Sequence, residues 1–198
     1  TDFASWKDLA ALMVPLYERA SVISAQGPLR SEVERIRASS KDPIHRAQAA
    51  LALAQDQVRY IALTMGEGGY VPASAEETWS RRFGDCKAKT ALLLALLDEL
   101  GIDAVPVAVD AGTGDGIDTR LPLVAQFNHV LVRATIKGQE YWMDGTRTGG
   151  ANLSRLTVPA YGWGVPFPAD AKLVRMMPAA LDRPWEETSI HMDARGGD

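Results

Sequence analysis

The chain carries one cysteine and three histidines, so any thiol chemistry must run through Cys86. That residue lies in Arg81-Arg82-Phe83-Gly84-Asp85-Cys86-Lys87-Ala88-Lys89-Thr90, directly ahead of an Ala- and Leu-rich run. Gly-Asp is turn chemistry and Asp85 a competent N-cap. Leu93, Leu96, Leu97 and Leu100 follow at helical spacing, with Gly101 suited to the position past the end. Cys86 is thus placed in a first helical turn, where unpaired N–H groups and the positive end of the helix dipole favour a thiolate. Arg81, Arg82, Lys87 and Lys89 add positive charge, and only Asp85 opposes it. The same residues fit a plainer description, a small buried cysteine at a helix start with its cations in solvent.

A nucleophilic thiol needs a base that takes its proton and later delivers one to the leaving group. His45 stands in the first turn of a helix with no obvious partner, and His191 in a weak strand near the end. His129 is embedded in Gln126-Phe127-Asn128-His129-Val130-Leu131-Val132, a strand apolar on both faces. A core histidine satisfied by backbone is the alternative there. The following hairpin bears on the choice. If Lys137 and Gly138 form a two-residue turn, Ile136 opposes Gln139 and Leu131 opposes Asp144. His129 and Asp144 then share a sheet face as diagonal neighbours, about 7–8 Å apart at the backbone. Asp144 would accept from one imidazole nitrogen and leave the other for Cys86. A slip of one residue puts the two on opposite faces. Ahead of Gly145, Asp144 also reads as a turn-former.

The elements that must position these groups follow from periodicity. Residues 3–24 predict a helix with Trp6, Leu9, Met13, Leu16 and Ala20 as its apolar stripe, kinked or split at Pro15. After Gly27-Pro28 a short helix carries Leu29, Val33 and Ile36. Asp42-Pro43 starts a long one carrying Ile44, Ala47, Leu51, Ala54, Val58 and Ile61. The first third is therefore a helical layer. Gly66-Glu67-Gly68-Gly69 lacks the lysine and spacing of a phosphate loop and reads as a turn. Ser74-Ala75-Glu76-Glu77 is a capping box opening a helix through Trp79. Residues 104–109 form a strand whose Pro106 favours an edge or a strand end. The Gly- and Asp-rich stretch 110–118 lacks EF-hand spacing and reads as a mobile loop. Strands at 127–136 and 140–144 make the hairpin. Past Gly145 glycines and prolines accumulate, with short strands near 173–176 and 188–192. The Asn152-Leu153-Ser154 sequon is read as chance.

Composition bounds the rest. At 198 residues, 46% hydrophobic and 23% charged, the chain is one domain or one with a small appendage. A net charge of −4 and no long basic run exclude a nucleic-acid footprint. No apolar stretch reaches 18 residues, so no direct membrane insertion is expected in this segment. One cysteine and scattered histidines make a zinc site improbable, and no cofactor is expected. Because the chain opens on Thr1, we read it as a piece of a longer protein with flanking domains.

Gly84-Asp85-Cys86-Lys87 with its leucine-rich helix, Phe127-Asn128-His129-Val130, and Trp142-Met143-Asp144 before Gly145-Thr146 together resemble the bacterial transglutaminase-like core domain. Tyr70-Val71-Pro72 and Glu77-Thr78-Trp79 fit bacterial members of that superfamily too. The resemblance spans roughly residues 44–148. It implies an α+β fold of the papain/transglutaminase-like kind, with an N-terminal helical layer and the cysteine helix packed on an antiparallel sheet. Cys86 carries over as nucleophile, His129 as general acid/base and Asp144 as orienting residue. The expected organisation is a helical segment at 1–41, a core at 42–148 and a Pro/Gly-rich extension at 149–198 that wraps the core or leads to a following domain. The resemblance further implies a peptide or protein substrate and a periplasmic or cell-envelope location. Classical crosslinking members have tryptophan after the cysteine where this chain has Lys87, and nothing here resembles their calcium sites. Hydrolysis of an amide through a thioester is therefore expected over crosslinking. A non-catalytic binding module of the same fold is the alternative. The backbone N–H of Cys86 is a natural oxyanion donor, and Trp79 and Tyr70 are candidates by position for a second.

Overall fold

Caps and prolines set the helices. In the computed structural model, which describes residues 3–62, 69–112, 114–168, 170, 172–180, 187–193 and 195–196, the first helix α1 (Trp6–Ala20) opens on a reciprocal cap. The Ser5 hydroxyl accepts from the Asp8 N–H, and the Asp8 carboxylate accepts from the Ser5 N–H. The expected split at Pro15 does not occur, and α1 is assigned as one helix across it. Pro15 is on the exposed side, so the carbonyl it leaves without a donor faces water. The buried stripe is Leu9, Ala10, Met13, Tyr17 and Ala20, with Tyr17 taking the place expected of Leu16.

Helices α2 (Pro28–Ser39) and α3 (Pro43–Asp56) both begin with proline in the first turn, where its missing N–H costs nothing. The expected continuation of α3 to Ile61 is overturned. The chain leaves the helix after Asp56 and forms β1 (Arg59–Tyr60), parallel to β2 (Phe83–Gly84). The N–H groups of Arg59 and Ile61 donate to the carbonyls of Arg82 and Gly84 at 2.8 and 3.0 Å, partners that periodicity does not register. Gly66, Glu67 and Gly68 of the expected turn lie outside the described residues. Next come α4 (Ala75–Arg81), capped by the Ser74 hydroxyl, and α5 (Cys86–Glu99), capped by Asp85.

Helix α5 is the axis of the molecule. From Cys86 to Leu97 only Lys87 is not buried, and the helix packs on α1, α3 and α4 on one side and the sheet on the other. Its far end is held by cations, as the helix dipole favours. Arg30 forks onto the Glu99 carboxylate with both contacts at 2.5 Å, and Arg37 donates to the Glu99 carbonyl.

The sheet contains β3 (Asp103–Val109), β4 (His129–Ile136), β5 (Gln139–Met143), β6 (Gly162–Pro166) and β7 (Val174–Met176) in the antiparallel order β5-β4-β3-β6-β7. The class is α+β, with the cysteine helix packed on an antiparallel sheet. Strand β3 is central, not at the edge that Pro106 suggested. Pro106 nevertheless loses little: β6 ends at Pro166, opposite Val107, and the Pro106 carbonyl still accepts from Phe167 N–H at 3.0 Å. The loop expected to be mobile at 110–118 includes Ile117, which is fully buried and opens a short 3₁₀ turn (Ile117–Thr119). Residues 188–192 form no strand, and Ile190 and Met192 are exposed. Strand β6 was not expected, and the segment from 149 onward supplies two strands to the sheet.

Candidate active site

The geometry of the cysteine is made by its neighbours. The Asp85 carboxylate accepts from the Ala88 N–H at 3.0 Å through one oxygen and from the Lys87 ammonium through the other. Lys87 therefore neutralises the cap instead of pairing with the sulfur. Gly84 sits where α4 and α5 close together. A Cβ there would fall 2.9 Å from Ala88 Cβ and 3.1 Å from Thr78 Cγ2, closer than side chains tolerate. Cys86 follows as the first residue of α5, with no intrahelical acceptor for its N–H.

The hairpin has the register anticipated from its turn. Lys137 and Gly138 both have positive φ, 53° and 79°, as a two-residue turn of the I′ kind requires. Ile136 opposes Gln139, and the ladder runs to Val132 opposite Met143. Continued by one step, it sets Asp144 opposite Leu131, and His129 meets Asp144 on one face. Their Nε2 and Oδ2 atoms are 2.9 Å apart. The other Asp144 oxygen accepts from the Thr146 N–H and hydroxyl at 2.9 and 2.7 Å. Thr146 thus fixes the rotamer that aims Asp144 at the ring. Tyr161 stands edge-on to the imidazole with centroids 6.3 Å apart, and its hydroxyl accepts from Arg147.

Burial disfavours the charged form of the His129 ring, but the Asp144 carboxylate and the nearby Cys86 sulfur outweigh it and raise its pKa to about 9. Burial likewise works against the Asp144 charge, yet His129 and Thr146 hold its carboxyl below the usual carboxylate range. Because Nε2 is engaged by Asp144, Nδ1 is the ring nitrogen left for the thiol.

Cys86 and His129 line a common cavity of about 350 Å³. Leu9, Met13 and Tyr17 of α1, with Phe127 and Phe167, form much of its apolar wall. Of the residues singled out from sequence, Cys86, His129 and Asp144 are brought together. His45 lies elsewhere, exposed and 3.7 Å from Asp42, and His191 is exposed outside any element. Tyr70 lines the cavity. Trp79 does not: it packs under the Arg82 guanidinium, 3.3 Å from its ring centre, beside a different cavity between α2, α3 and α4.

Gln55, which sequence reasoning missed, lies buried on α3 with its amide N–H donating to the Asp144 carbonyl at 2.9 Å. Its amide oxygen accepts from the Gly150 N–H at 3.3 Å, so one side chain braces both sides of the loop behind the site. The available signal was a polar residue next to the apolar stripe of a helix, which alone does not separate a brace from a solvated position.

No protein-family model and no curated protein matches the chain. Two solved structures resemble it. One, named a "putative protease", is from Parabacteroides distasonis ATCC 8503, with a TM-score of 0.68 and 14% identity over 90% of this chain. The other, named a "putative cysteine protease", is from Cytophaga hutchinsonii, with a TM-score of 0.47 and 16% identity over 92% of this chain. The chain spans 32% of the first structure's length and 60% of the second's. At this identity the first likeness establishes the fold, an α+β architecture with helices packed on an antiparallel sheet, and not an activity.

Proposed function

We propose that the chain is a transglutaminase-like cysteine acyl-transfer enzyme that hydrolyses an amide, either a peptide bond or a glutamine-type side chain, through a thioester on Cys86. The observation that carries this reading is the His129–Asp144 contact of 2.9 Å, made at a cavity that Cys86 also lines. With a pKa near 9, the ring holds its proton at neutral pH and can act as general acid.

The Cys86 sulfur attacks the carbonyl carbon, forming an S–C bond and placing the π pair on oxygen. The Cys86 N–H at the start of α5 is one donor to that oxygen. Collapse restores the carbonyl and breaks the C–N bond, and the amine leaves with the proton of His129. A water molecule then attacks the thioester. His129 takes one proton from it, the S–C bond breaks, and a carboxylic acid departs as the thiol–imidazole pair is restored. Asp144 holds the ring in orientation throughout. A peptide or protein of the cell envelope is the substrate this reading expects.

The test is incubation with peptide and glutamine-containing libraries, with products identified by mass spectrometry beside a Cys86→Ala control. Cleaved or deamidated products that appear only with the native cysteine are expected. Equal traces from both proteins would overturn the proposal and leave a binding module. The chemistry has its own check. Iodoacetamide should alkylate Cys86 at pH 7 at least about tenfold faster in the native protein than in His129→Ala, within the range that a positioned base supplies.

A further inference from the structure

The cavity at Cys86 has few polar groups free to meet a substrate. The Lys87 ammonium is held by Asp85. The Asn128 amide is used on both sides, its oxygen accepting from Ala111 N–H at 2.9 Å and its nitrogen donating to Asp110 at 2.7 Å. Tyr70 has half of its surface in solvent. Tyr17 differs from all of these. It is only 3% exposed, it lines the cavity, and its hydroxyl makes no hydrogen bond among the described residues. The hydroxyl is not one of the fully enclosed polar atoms of the fold, so it keeps open surface at which a substrate group can meet it.

We propose that Tyr17 is a catalytic residue whose phenolic O–H donates to the carbonyl oxygen as Cys86 attacks, completing the oxyanion site with the Cys86 N–H. The proposal rests on the acyl-transfer reading above. Three features make the phenol a good donor. Its ring is held against Phe167, with centroids 5.6 Å apart at 42°, so the hydroxyl is fixed before the substrate binds. Burial, with the charges of Cys86 and Asp85, pushes its pKa well up, so it stays protonated at any working pH. It shares its cavity with Cys86, the first residue of α5, where the carbonyl must lie to meet the sulfur. At a low-dielectric position, a fixed neutral donor acts more strongly than in solution. Tyr17 belongs to the N-terminal layer, outside the 44–148 segment that carries the motifs. The site therefore draws on a helix that the motif pattern does not mark.

Two reactions of the same sulfur separate this role from packing. Acylation of Cys86 by p-nitrophenyl acetate passes through an oxyanion, and alkylation by iodoacetamide does not. In Tyr17→Phe, which keeps the ring, acylation should slow by about a hundredfold, the low end of the roughly 10²–10³ that loss of one such donor costs elsewhere. Alkylation should stay within about twofold and the melting temperature should not fall. Acylation at the native rate in Tyr17→Phe, or a parallel fall in both reactions, overturns the proposal, as does failure of the native protein to be acylated. If Tyr17→Phe melts early, Tyr17→Met provides the same comparison with a different side chain in the space. Failure of the underlying reading looks different, because alkylation of the native protein would then be no faster than in His129→Ala.

Discussion

A carboxylate behind an imidazole both charges the ring and aims it, and substitution can separate the two. Asp144→Asn keeps the size of the side chain and its reach to Thr146 and His129 but removes the charge that raises the ring. The His129 midpoint, followed by NMR, is expected to fall from about 9 toward the ordinary 6.5. Amide hydrolysis should fall by on the order of 10³–10⁴, by analogy with the serine-protease aspartate. The raised ring also sets a direction for stability. A group whose pKa is higher in the folded state stabilises fully below its unfolded value and loses that contribution as pH rises through the folded one. The melting temperature should therefore decline between about pH 6.5 and 9, and His129→Gln should remove that decline. Asp144 runs the other way: its contribution is present above the ordinary carboxylate range and is lost as pH falls through its depressed value. Gln55→Leu leaves the Asp144 carbonyl and the Gly150 N–H without their partner, at a cost of about 1–3 kcal/mol in a denaturant melt. It should lower kcat more than it changes KM, since Gln55 supports the loop and lies outside the cavity. That Cys86, His129 and Asp144 would lie together was legible because few residue types do thiol chemistry and the hairpin register sets two of them on one face. The place of Tyr17 in the cavity wall and of Gln55 behind Asp144 was not, because a polar side chain near an apolar stripe has no signature until the partner or cavity it faces is known.

Among the elements, the hairpin was legible to the residue because a two-residue turn leaves one register open, and Lys137-Gly138 adopts it. Strand β6 was hidden by its own glycines. A Cβ at Gly164 would fall 2.7 Å from Val107 Cγ1 and 2.9 Å from the Met176 sulfur, so glycine is there for close packing, in a segment that reads as loop. The end of α3 was hidden because apolar spacing runs on through Val58 while the backbone has already turned to pair with β2. Gly84→Ala tests the junction that delivers the cysteine. The added methyl meets Ala88 Cβ and Thr78 Cγ2, neither of which has a flexible end to move. A loss of about 1–3 kcal/mol is expected, with slower acylation of Cys86 as α5 shifts from α4. Pro15→Ala is expected to act oppositely, raising stability by about 1–3 kcal/mol in the same melt. It restores a helical N–H at an exposed position without disturbing the core.

At the scale of the molecule, the motif-bearing segment shares one hydrophobic core with the chain on either side of it. The core that surrounds α5 takes Leu9, Met13 and Tyr17 from α1, Leu29, Val33 and Ile36 from α2, and Val165 and Phe167 from the last third of the chain. A fragment of residues 42–148 is therefore expected to lack a cooperative urea transition, where the whole chain shows one. The enclosure of α5 also decides which half of the site can yield. A helix buried on every side opens to solvent only when the whole domain unfolds, so its amides beyond the first turn should be among the last to exchange with deuterium. The sulfur thus sits at the tip of an enclosed helix. In the proposed reaction, accommodation of a bulky acyl group falls instead to the imidazole and the strand end that carries it.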